Sequence, residues 1–140
     1  MLIASALRAA DAPTPQPVKT VLEHYLKIRA SLAADTMKGV GENARAIAAT
    51  VRTDDTKSLP PAVAEQANAL AQSRELIPAR DAFKSLSTSL IEYLNAHPAS
   101  KGAFHVVYCP MAQASWLQTS TVVSNPYMGR EMNSCGVVKN

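Results

Sequence analysis

From Pro17 onward, apolar residues recur at steps of three and four: Val18, Val21, Leu22, Tyr25, Ile28 or Arg29, and Leu32. That spacing predicts a helix of about four turns ending near Ala34, with one apolar stripe turned inward. Pro17 suits its first turn, where a missing N–H costs nothing. Asp35 or Thr36 is a cap for a second helix, whose stripe is Val40, Ala44, Ile47, Ala48 and Val51. Gly39 and Gly41 weaken its first turn.

A polar break at Asp54-Asp55-Thr56-Lys57-Ser58 precedes a third helix that starts around Ser58 to Pro61 and carries Val63, Ala67 and Leu70. Pro78 stands inside the continuing pattern and predicts a kink or a division near Leu76-Ile77. Ala79, Phe83, Leu86, Leu90 and Tyr93-Leu94 then form the cleanest stripe, and Pro98 ends it by Asn95 or Ala96. Four amphipathic segments with short connections predict an all-α fold, an antiparallel four-helix bundle.

The period changes after Gly102. Phe104 to Tyr108 is β-prone but too brief to build a sheet alone. Asn125-Pro126 reads as a cap with a first-turn proline and Gly136 as a stop. A helix of about two turns between them would set Met128, Met132 and Cys135 on one face. The expected architecture is therefore a bundle with an irregular C-terminal hook containing a short helix. Residues 17–138 form the domain, with the tail segment at 104–138. Trp116 and Tyr127 are the expected anchors of the hook, since large aromatic rings bury much apolar area.

Residues 1–16 read separately. Met1 to Ala10 is apolar and alanine-rich, and Ala12-Pro13-Thr14-Pro15-Gln16-Pro17 follows. This is either a signal-peptide remnant or a disordered lead-in; a charged n-region is missing.

Composition narrows the function. Aromatic residues make up 5% of the chain and the formal charge is +3, with Lys and Arg dispersed. No basic stripe interleaved with aromatics marks a nucleic-acid partner. No apolar run reaches the roughly eighteen residues of a membrane span. No nucleophile elbow, phosphate-cradling glycine loop or haem-attachment motif points to an enzyme.

What chemistry there is lies in the tail. Both cysteines, the one Trp and three of the five methionines fall between Tyr108 and Val138. Thiolates and thioethers are soft ligands that select Cu(I). The candidate ligands are Cys109 and Cys135 as thiolates and Met111 and Met132 as thioethers, with His24 as a further contact. The same two cysteines could instead form a disulfide closing a loop of about 26 residues, worth roughly 3–4 kcal/mol in the chain-entropy picture. Two thiols decide neither the compartment nor the state. Met128 and Met37 are equally suited to filling gaps in the core.

The tail resembles a known bacterial domain family. The matching runs are Tyr108-Cys109-Pro110-Met111-Ala112, Trp116-Leu117-Gln118, and Asn125-Pro126-Tyr127 through Gly129 and Met132 to Cys135-Gly136. Tyr25-Leu26, Leu32 to Asp35, Arg80 to Phe83 and Leu86-Ser87 are similar as well. That family occurs alone as a secreted protein, or fused to the C-terminal end of periplasmic adaptor subunits of copper and heavy-metal efflux pumps. The resemblance implies a periplasmic helical bundle in copper handling, as chaperone, buffer or efflux accessory. It also implies such an adaptor as partner, and Cys109, Met111, Met132 and Cys135 as the matching positions. The alternative is a metal-free, disulfide-stapled interaction module of an efflux or envelope complex.

Overall fold

The computed structural model describes residues 13–139. The lead-in expected over residues 1–16 lies, up to residue 12, outside the described residues.

Helix α1 spans Gln16–Ala33, with Pro17 in its first turn, and stops where Asp35 takes a left-handed φ of 56°. The second helix, α2, is Val40–Thr53 and is preceded by Gly39 at φ 76°. Neither Asp35 nor Thr36 caps it. Thr36 Oγ1 accepts from Lys38 N, and the Asp35 carboxylate is engaged elsewhere. Helix α3 is Pro61–Gln72 and α4 is Leu76–Ala96. Pro78 thus sits in the first turn of α4, and the pattern is divided there, not kinked. A single further turn, α5, covers Pro98–Lys101.

Consecutive helices pack on one another, α1 on α2, α2 on α3 and α3 on α4. Their stripes supply the core: Val21, Ile28, Leu32, Ile47, Leu70, Leu86 and Leu94 are sealed from solvent. Each such side chain contributes about 1.5–3 kcal/mol by leaving water. Tyr25 stacks on Phe83 with ring centroids 4.6 Å apart, which locks α1 to α4.

The fold is not all-α. Residues 105–139 build a three-stranded antiparallel sheet in the order β2-β1-β3, where β1 is His105–Cys109, β2 is Ala114–Gln118 and β3 is Val137–Lys139. Val107 pairs with Trp116 on one side and Val138 on the other. The short β-prone run is brief by itself, but it gains a partner five residues on and another from the end of the chain. No local signal announces that second pairing. Trp116, Leu117 and Gln118 are buried in succession, so both faces of β2 are covered and the alternation that marks a half-buried strand is absent.

Sheet and helices share one core, closed by a buried hydroxyl relay. Tyr25 Oη lies 2.7 Å from Ser87 Oγ and accepts from Leu117 N at 3.0 Å, while Tyr127 Oη donates to Ser115 O at 2.6 Å. Burial drives the Tyr25 and Tyr127 hydroxyls far above the ordinary tyrosine range, so both stay neutral donors and acceptors.

The short helix expected between Asn125 and Gly136 is also corrected. Only a 3-10 turn forms, at Gly129–Met132. Asn125 Oδ1 takes the N–H groups of Tyr127 (2.8 Å) and Met128 (3.0 Å), and Gly129 adopts φ +63°, which breaks any right-handed continuation. Met128, Met132 and Cys135 therefore do not share a helix face. Among the described residues no helix is long and apolar enough to cross a membrane.

Candidate metal centre

The register of the sheet places the two cysteines. Tyr108 pairs with Val137, so one step further along the same ladder brings Gly136 level with Cys109. Cys135 follows directly, and its Sγ lies 3.1 Å from Cys109 Sγ. Both are free thiols; Cys109 is buried and Cys135 half-buried. Gly136 is needed for this approach. A Cβ there would stand 2.9 Å from Trp116 Cη2 and from Val107 Cγ1.

The hairpin loop between β1 and β2 wraps the sulfur pair. Gln113 takes a left-handed φ of 50° to close the loop, and Ala112 N donates to Cys109 Sγ at 3.4 Å. Burial pushes the Cys109 thiol up. Hydrogen bonds from the Cys135 thiol, Ala112 N–H, the Asn125 amide and Met111 N–H outweigh it and hold Cys109 below the usual thiol value. Cys135 donates to Cys109, and that bond together with burial holds it above the usual value. Of the two thiols, Cys109 is the one whose surroundings favour the thiolate.

Asn125 is the hub of the segment and is wholly buried. Besides its turn bonds, its Nδ2 donates to Cys135 O at 2.7 Å and its N–H donates to Asn133 O at 2.9 Å. The segment is anchored to the bundle through Arg80, which donates to Pro126 O, Leu32 O and Asp35 Oδ1 at 2.8, 2.8 and 2.7 Å. Arg130 N closes the circuit on Asp35 Oδ2 at 3.0 Å. The Arg80 bond holds the Asp35 carboxyl below its usual range. A Cβ on Gly129 would run into Asp35 Oδ1 and Arg80 Nη2, so only glycine fits.

The other expected ligands are placed as follows. Met111, next but one to Cys109, is 65% exposed; Met132 is 38% exposed on the 3-10 turn. Met128 packs partly buried against the core, as does Met37. His24 Nδ1 lies 2.8 Å from Asn43 Oδ1, across the α1–α2 interface, and no interaction joins it to the sulfurs among the described residues. Among those residues no three His, Cys, Asp or Glu side chains group as a metal site. Of the expected soft ligands, the structure brings together the sulfurs of Cys109 and Cys135. Trp116 is fully buried and Tyr127 nearly so, their rings edge to face at 5.9 Å.

Asn125-Pro126 predicts a helix cap, and nothing in the sequence marks Asp35 and Arg80 as organisers of the turn. Asn-Pro-Tyr with a glycine four positions after the Asn is the available signal for the turn. The Arg80 contacts span 45 to 48 residues along the chain and have no local signature.

Residues 21–102 match the family described as Protein of unknown function (DUF3347). The chain belongs to this family. The DUF3347 match runs from Val21, within α1, through α2, α3 and α4 to Gly102, and ends before the sheet and both cysteines. No curated protein and no solved structure matches the chain.

Proposed function

We propose that the chain receives and releases a soft metal ion, Cu(I) above others, through Cys109 and Cys135. The observation that carries this reading is the 3.1 Å approach of two free thiols. A thiolate–metal bond of about 2.3 Å, as for zinc, needs sulfurs roughly 3.8 Å apart at a tetrahedral angle and about 4.6 Å apart in line. The pair must therefore open by about 0.7–1.5 Å. Cys109 is fixed at the end of β1, so the half-buried Cys135 segment is the side that yields. The N–H groups around Cys109 favour its thiolate, which is the form that ligates. Met111 supplies an exposed thioether from the hairpin loop, and Met132 a second from the turn that precedes Cys135. His24, tied to Asn43, stays outside this set.

The resemblance of the tail to domains joined to periplasmic adaptors of copper efflux pumps supports the same reading. On this reading the protein works in the periplasm, beside such an adaptor, with copper as cargo and without catalysis. The test is a Cu(I) titration of the reduced protein against a competing chelator. One-to-one binding is expected, weakened by more than about 100-fold in Cys109→Ser and in Cys135→Ser, beyond the loss of an outer positioning group. Unchanged binding in both variants overturns the proposal.

The same 3.1 Å separation favours a second reading. Closing by about 1 Å reaches the S–S length of a disulfide, and the domain would then be a stapled interaction module of an envelope complex. A purified protein lighter by two hydrogens, which fails to take Cu(I) even after reduction, would select it.

A further inference from the structure

On the flank of the molecule, α1 and the 119–124 loop enclose a cavity of about 330 Å³ bordered by Leu26, Arg29, Thr119, Ser120, Val122 and Ser124. The loop wall is built in advance by Gln118, which is 2% exposed and uses every hydrogen-bonding position it has. Its Nε2 donates to Ser120 O (2.6 Å) and Val122 O (2.8 Å), and its Oε1 accepts from Trp116 Nε1 (3.0 Å) and Ser124 N (3.2 Å).

Arg29 is the unexplained group here. It is half-buried and makes one long bond, from Nη1 to Ser124 O at 3.2 Å. Its Nε is buried with no partner among the described residues. The ion pairs among those residues are Arg80–Asp35 and Lys84–Asp81, so no carboxylate balances the Arg29 charge. Desolvation lowers its pKa accordingly. A partly buried cation without a counter-charge is costly to keep, and such a group bordering a cavity marks a binding site.

We infer that this cavity is a binding site for a carboxylate monoanion, held by the Arg29 guanidinium. The guanidinium fork matches the planar carboxylate. Arg29 is the one cation in the lining, which suits a single negative charge better than a phosphate dianion. Ser120 Oγ accepts from Val122 N, leaving its hydroxyl hydrogen free to donate to the ligand. Leu26 and the exposed Val122 offer apolar contact to a short carbon chain. A free small acid and the carboxyl terminus of a polypeptide both have this chemistry.

The test is an NMR titration of the full chain, reading the Arg29 Nε–H and Trp116 indole N–H resonances. The probes are propionate and an N-acetylated trialanine with a free or an amidated C-terminus. Saturable shifts with a Kd on the order of 1 mM are expected. Binding of propionate alone identifies the source as a free acid. Tighter binding of the free-terminus peptide, lost on amidation, identifies it as a chain end. Arg29→Met removes the cation. Val122→Glu, at a position 75% exposed and so tolerant of change, supplies a competing internal carboxylate. Both are expected to weaken binding at least tenfold. Shifts that do not saturate, or that persist unchanged in Val122→Glu, overturn the inference.

Discussion

Asn125 shows how much one side chain decides here. It closes the turn through Oδ1 and holds Cys135 O through Nδ2, within reach of Cys109. Asn125→Asp keeps an oxygen for the turn but loses the amide donors and sets a negative charge beside the thiol pair. Asn125→Ala loses both sets. Leaving buried donors unpaired costs roughly 1–3 kcal/mol each. Asn125→Ala should therefore lower unfolding stability in urea by about 2–4 kcal/mol, and Asn125→Asp by no less at neutral pH, because it buries a carboxylate against Cys135 O. An Asn125→Asp variant as stable as the parent would mean that the amide end does nothing for the tail. At this scale the sequence is informative about identity and silent about partners. Asn125-Pro126 announces a turn, but whether its amide caps a helix or reaches a strand ten residues on depends on where that strand lies.

Among the elements, the junction of α1, α4 and the 3-10 turn is the most exposed to chemistry. Asp35, left-handed at the end of α1, receives Arg80 from α4 and Arg130 N from the turn. The hydrogen bond from Arg80 holds its pKa below the unfolded value, which is about 3.9. Between the two values the unfolded chain binds more protons, so stability rises with pH there. The Asp35 contribution is complete above about pH 4 and is lost as pH falls through the folded value. Urea midpoints from pH 2 to 7 should show a shallower acid limb in Asp35→Asn than in the parent, with a lower midpoint at neutral pH. Parallel curves would remove Asp35 from the acid response. The helices meeting at this junction are visible in the hydrophobic stripes. The strands are not: β2 is buried on both faces, and β3 is a three-residue run at the end of the chain that acquires meaning only beside β1.

At the scale of the molecule, the relay through Tyr25, Ser87, Leu117 and Tyr127 makes sheet and helices one cooperative body. The single Trp reports on the sheet and far-ultraviolet circular dichroism reports on the helices, so their denaturation curves should coincide. Two separate transitions would show that the sheet opens independently of the bundle. One body also explains why two thiols 26 residues apart can be held at 3.1 Å without a covalent bond.

The helical half was determined by its own residues. Stripes at three- and four-residue steps, prolines in first turns and a polar break at 54–58 are local facts, and helix hydrogen bonds close within four residues. The other half was decided by tertiary structure. Strand pairing between residues 108 and 137, the Arg80 bridge and the meeting of Cys109 with Cys135 join groups far apart along the chain. Their geometry exists only once the core of Tyr25, Phe83, Trp116 and Tyr127 has brought those segments together.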